Sequence, residues 1–189
     1  MATPSLSGTT VAILATDGFE QSELVEPKKA LEKAGATVHV VSPESGQITG
    51  WDEDDWGDEV DVDRTLSDAD AGSYAALVLP GGQINPDKLR IDGDALDFVK
   101  AFAEAGKPVA AICHAPWVLI EAGLVQGRTV TSYRSIRTDL KNAGAEVVDR
   151  EVARDTDGPF PLVTSRNPND LPAFTEAIVE VFADAGQPA

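Results

Sequence analysis

The chain has 189 residues, 42% of them hydrophobic, and its 32 acidic side chains against 15 basic ones give a formal net charge of −17. That length suits one domain with a sizeable core, and that charge argues against nucleic acid and anionic membranes as partners, because both repel such a surface. No apolar run reaches membrane-spanning length, and the lone cysteine excludes an internal disulfide or a cysteine-built zinc site and fits a reducing cytoplasm.

Met1–Gly8 reads as a disordered lead-in to a single domain over residues 9–185. Thr10–Ala15 is a short apolar run ending in Asp17-Gly18, the pattern of a buried parallel strand. Leu24, Ala30, Leu31 and Ala34 carry helical spacing over Glu20–Lys33, with Gly35 as C-cap. Thr37–Val41 is a second strand, with His39 structural in its middle. Ser42–Asp63 reads as turns and a short hairpin. Its acidic stretch, Trp51 to Glu59, lacks the ligand spacing of a calcium loop and is expected to be a solvated surface loop, so no metal is predicted. Tyr74–Leu79 is a third strand, stopped by Pro80-Gly81-Gly82. A helix over Asp92–Ala105 follows, then a strand over Val109–Ile112 and a helix over Ala115–Glu121. Thr129–Tyr133 reads as a strand and Ile136–Asn142 as a helix. Glu146–Arg154 and Phe160–Ser165 read as a strand pair, and Leu171–Ala183 as a terminal amphipathic helix. Strands alternating with helices predict an α/β domain whose mainly parallel sheet is covered on both faces.

Sites in such sheets form beyond the carboxyl ends of the strands. Three segments converge there: Asp17–Glu20, Pro80–Gly82 and Cys113-His114. Cys113 closes a strand and precedes a helix that has Pro116 in its first turn, with small Ala111 and Ala115 on either side, as the sharp turn of a nucleophile elbow requires. A thiol held there at a helix N-terminus is expected to have a depressed pKa and react as the thiolate. His114 supplies a backbone N–H for an oxyanion hole, and its side chain is either a base or a helix-start residue bonded to a carboxylate. Glu20 is either a buried, protonated partner of the sulfur or a helix-start carboxylate, as Glu23 also is. Gly81 and Gly82 let backbone N–H groups approach a ligand, with Gly82 the second oxyanion donor; a tight turn is the alternative. Asp87 alone reads as a turn or cap residue. No phosphate-binding or dinucleotide loop is present, and no cofactor is predicted.

Six ordered segments carry a resemblance: Asp17-Gly-Phe-Glu20 with Glu23; Val78–Gly82 with Pro86-Asp87 and Leu89-Arg90; Ala110–Pro116; Gly127–Ser132; Asp139–Gly144; and Leu162–Pro168. Together they resemble the PfpI family of intracellular cysteine proteases and general stress proteins, within the class I glutamine amidotransferase-like superfamily, from about Val11 to Phe182. The resemblance implies a flavodoxin-like three-layer sandwich and a homodimer, with higher oligomers in some members. It implies Cys113 as nucleophile, Glu20 as its carboxyl partner and His114 as the dyad histidine. It also implies that Asp87, where the family archetype has glutamate and a loop one residue shorter, orients the histidine across a subunit boundary. The activity expected is a cofactor-free, cysteine-dependent stress enzyme acting on reactive dicarbonyls or their protein adducts. The alternatives are a peptidase using Cys113, His114 and Asp87, and a redox sensor oxidised at Cys113.

Overall fold

The computed structural model describes residues 4–185. In chain order the elements are β1 (Thr10–Leu14), β2 (Phe19–Glu20), α1 (Gln21–Lys33), β3 (Thr37–Ser42), β4 (Gln47–Asp52), β5 (Asp55–Asp61), β6 (Arg64–Thr65), β7 (Ala76–Leu79), α2 (Ile84–Leu89) and α3 (Gly93–Glu104). Then come β8 (Val109–Ile112), α4 (Pro116–Glu121), β9 (Thr129–Val130), α5 (Arg137–Asn142), β10 (Glu146–Val147), β11 (Val152–Asp155), β12 (Leu162–Ser165) and α6 (Leu171–Ala185). A seven-stranded sheet runs β11-β12-β8-β7-β1-β3-β6. All its pairs are parallel except β11 with β12.

The side-chain period of a strand, two residues, divides the core into two layers. Val11 and Ile13 of β1 pack with Leu24 and Leu31 of α1 and with Phe174, Ile178 and Phe182 of α6. Ala12 and Leu14 face the other way, onto Phe98 and Phe102 of α3, Leu119 of α4 and Leu140 of α5. The result is the expected flavodoxin-like sandwich, with helices on both faces of a mainly parallel sheet. Among the described residues no helix is long and apolar enough to cross a membrane.

From β1 the chain passes to β3 on one side and later returns to β7 on the other. That reversal opens a crevice beyond the strand ends, where open sheets place their ligands. β12, β8, β7 and β1 are adjacent, so the segments that follow them meet at one lip of the sheet.

Four expectations are adjusted. Residues 1–3 of the lead-in lie outside the described residues, but Leu6 is 2% exposed and its N–H donates to the Ala34 carbonyl at 2.8 Å, so the chain is docked before residue 9. The segment Thr129–Tyr133 pairs as a strand only over Thr129–Val130. Beyond it the Thr131 N–H donates to Thr164 Oγ1 and the Tyr133 N–H to the Cys113 carbonyl, which draws this segment toward the elbow. Glu146–Arg154 divides: β10 pairs with β9, and β11 pairs with β12. Asp87, which alone reads as a turn or cap residue, lies in the first turn of the short helix α2.

Candidate active site

Cys113 has φ 64°, and with Glu53 it is one of two described non-glycine residues in left-handed backbone. A side chain there is strained, and three tethers hold it. Its N–H donates to the Ser165 carbonyl at 3.1 Å, its carbonyl accepts from Tyr133 N–H at 2.9 Å, and the Ala115 N–H closes the turn onto the Ile112 carbonyl at 3.0 Å. Ala111 and Ala115 are fully buried, so larger side chains would have no room. This is the predicted elbow.

The carboxyl beside the thiol belongs to Glu23, which corrects the expectation for Glu20. Glu20 is the N-cap of α1 in extended backbone, and its N–H donates to the Gly81 carbonyl at 3.3 Å. Its side chain lines the mouth of the crevice with Asp52 and Glu53. One helical turn on, Glu23 is fully buried, and its Oε2 accepts from Gly81 N–H at 2.9 Å. Its Oε1 is buried without a hydrogen-bond partner. The two acids are three residues apart on one helix side, and spacing alone does not say which turns inward.

Burial, with the charge of Glu20 behind it, pushes Glu23 up to about 8, so at neutral pH this acid keeps its proton. Cys113 is 6% exposed. Burial pushes its thiol up, an ionised Glu23 pushes it further, and the Gly82 and His114 N–H groups aimed at the sulfur pull it down. The expected depression is therefore corrected. The six-residue α4 does not offset the loss of water around the sulfur. Glu23 and Cys113 titrate as a pair, and two anions in contact are the form that the site disfavours.

The glycines divide their roles. Gly81 spends its N–H on Glu23, so it is not an oxyanion donor. A Cβ on Gly81 would lie 2.5 Å from Glu23 Oε2 and 2.7 Å from Cys113 Cβ, so its lack of a side chain is what lets acid and thiol meet. Gly82, at φ 79°, turns its N–H to the sulfur, and a Cβ there would strike the Gly18 carbonyl and come 2.7 Å from Glu20 N.

His114 is 3% exposed. Its Nδ1 lies 3.1 Å from Cys113 Sγ and its Nε2 lies 3.0 Å from Ser135 Oγ. Tyr133 stacks on the imidazole with centroids 4.6 Å apart. Burial lowers its pKa to about 4, which keeps the ring neutral. Asp87 is not brought to it within this chain: on α2, Asp87 is exposed and paired with Arg90 Nη2 at 2.6 Å.

Two features had no clear signal in the sequence. Asn85 is fully buried; its Oδ1 accepts from Thr16 N–H at 2.8 Å, and its Nδ2 donates to the Pro80 and Gly81 carbonyls. It binds the loop after β1 to the loop after β7. The other is the part played by the β4–β5 hairpin, the short hairpin expected within Ser42–Asp63: Thr49 N–H donates to Asp17 Oδ1 at 2.9 Å and holds it to the site, and Trp51 and Glu53 of its acidic stretch line the thiol cavity. That cavity measures about 530 Å³ and opens between Cys113, His114, Glu23, Gly82 and Tyr133. Among the described residues no three His, Cys, Asp or Glu side chains are grouped to hold a metal ion.

Residues 9–181 match the DJ-1/PfpI family. General stress protein 18 of Bacillus subtilis is 44% identical over 167 residues, covering 88% of this chain and 94% of that protein. Protein/nucleic acid deglycase 2 of Escherichia coli is 42% identical over 172 residues, covering 91% of this chain and 96% of that protein. The crystal structure of Drosophila melanogaster DJ-1beta superimposes with a TM-score of 0.83 at 27% identity, over 94% of this chain and 91% of that one.

Proposed function

The chain belongs to the DJ-1/PfpI family, and we propose that it is a stress-protection enzyme whose Cys113 thiolate attacks reactive dicarbonyls or their adducts on proteins. One observation carries this reading. A strained cysteine at the base of an open cavity is surrounded by an acid that keeps its proton, a neutral imidazole and two convergent backbone N–H groups. The names of the stress-protein and deglycase relatives support it.

The chemistry follows from what each group can hold. Losing one proton from the Glu23–Cys113 pair leaves one negative charge and one proton between them. With the charge on sulfur, Sγ attacks an aldehyde carbon, a C–S bond forms, and the carbonyl π pair moves to oxygen. That oxygen comes within reach of the Gly82 and His114 N–H groups. Glu23 then gives it the retained proton, producing a hemithioacetal and a carboxylate. The carboxylate takes the C–H proton of the adduct and returns it to the neighbouring carbon, while the hemithioacetal hydroxyl proton passes to the former ketone oxygen, which leaves a lactoyl thioester. Water cleaves the resulting thioester, so methylglyoxal plus water leaves as lactate. No group outside the chain is required.

Lactate formation from methylglyoxal tests the assignment. Cys113→Ala abolishes it. Glu23→Gln, which can neither give nor take the proton, lowers kcat/KM by about 100-fold or more. Glu20→Gln, at the mouth, costs less than about tenfold. Wild-type rates in Cys113→Ala or Glu23→Gln would overturn the proposal.

A further inference from the structure

A buried thiol needs a route for its proton, and the structure contains one that ends in solvent. Cys113 Sγ, His114 Nδ1, His114 Nε2 and Ser135 Oγ form a line with contacts of 3.1 and 3.0 Å, and Ser135 is exposed. We infer that Ser135 is the positioning residue of His114 and the exit of a proton wire from the Cys113 thiol to water. The inference rests on Cys113 being the nucleophile proposed above.

A neutral imidazole carries one N–H, so its two nitrogens play opposite parts. With the thiol protonated, S–H donates to Nδ1 and Nε2–H donates to Ser135 Oγ. On ionisation three protons shift together: the thiol proton to Nδ1, the Nε2 proton to Ser135 Oγ, and the original Ser135 hydroxyl proton to a solvent water. The ring remains neutral throughout, as its burial requires. The thiolate then faces Nδ1–H, and the serine hydroxyl donates back to Nε2. A hydroxyl serves both states because it donates and accepts. A carboxylate accepts only, and would hold Nε2–H and leave a lone pair toward the anionic sulfur.

The surroundings restrict the alternatives. Tyr133 and Trp117 pack on the ring at 4.6 and 5.2 Å and fix its plane. The charged and titratable groups facing the dyad are Glu23 from α1, Glu20 and Glu53 at the mouth, and Tyr133 stacked on the ring. None of them takes a hydrogen bond from Nε2, and Asp87 is engaged by Arg90. An Asp87 arriving from a neighbouring copy would have to displace Ser135.

The test is alkylation of Cys113 by iodoacetamide across pH, which involves no dicarbonyl. Ser135→Ala slows alkylation by about tenfold or more at pH 7.5 and moves its midpoint upward. Ser135→Thr restores both, and Ser135→Asp behaves as badly as Ser135→Ala. Melting curves check that each variant is folded, as an exposed position allows. A wild-type rate and midpoint in Ser135→Ala would overturn the inference, and so would failure of threonine to restore them. If alkylation responds as stated while methylglyoxal is not consumed by the wild type, the proposed function fails and the wire stands.

Discussion

Glu23 is buried beside the thiol at a cost in stability that depends on pH. Its folded pKa of about 8 lies above the ordinary 4.5, so between those values the native state binds the extra proton, and stability falls as pH rises toward about 8. His114 works oppositely: lowered from 6.5 to about 4, it removes stability as pH falls below 6.5. From pH 6.5 to 8 only Glu23 of the two contributes, and about 2 kcal/mol of stability is lost there. Urea unfolding of the wild type at pH 6.5 and 8 should show this loss, and Glu23→Gln should flatten it. That variant is then more stable than the wild type at pH 8 while it turns over less substrate. Equal slopes in the two proteins would contradict the burial argument. The meeting of Cys113, His114 and Gly82 at one cavity was legible because elbow and turn geometry depend on residue size and local order. The exchange of Glu20 for Glu23 was not legible, because two acids one turn apart differ only in which meets Gly81.

The elements around the site depend on a few buried polar ties that periodicity does not reveal. One lies away from the thiol, where β9 meets β11. Arg128 Nη2 pairs with Asp155 Oδ1 at 3.1 Å and donates to the Phe160 carbonyl at 2.7 Å, while the guanidinium stacks 4.5 Å above the Phe160 ring. Asp155 Oδ2 accepts from Thr129 N–H at 2.7 Å. Burial raises the Asp155 carboxyl, but the Arg128 and Thr129 hydrogen bonds outweigh it and hold the pKa below the ordinary value. Removing the acid leaves a guanidinium that is 5% exposed without its counter-charge. Asp155→Ala should therefore cost about 3–5 kcal/mol in denaturant unfolding, with Asp155→Asn costing less because it retains an acceptor. A cost below about 1 kcal/mol would show that the clamp is not used. Strands β1, β3, β7, β8 and β12 were legible because apolar runs between turn residues mark buried parallel strands. Helix α2 was hidden because Asn85 binds it through contacts to Thr16, Pro80 and Gly81 rather than through its own pattern.

At the scale of the whole molecule, a net charge of −17 on a compact domain repels itself. Salt shortens the reach of that repulsion, with a Debye length of about 10 Å at 0.1 M and about 3 Å at 1 M. The melting temperature should therefore rise by several degrees between 10 mM and 0.5 M sodium chloride. A fall would mean that exposed pairs such as Lys28–Glu32 and Arg154–Glu180 outweigh the net charge. The order of strands and helices, the elbow at Cys113 and the family resemblance were all present in the linear chain, because they rest on short-range periodicity, residue size and motif order. Three things were decided only by the tertiary structure: Glu23 as the acid at the sulfur, Ser135 at the far nitrogen of His114, and a thiol held protonated by burial. Each depends on distance and loss of water between segments far apart in sequence, and neither is encoded in local order.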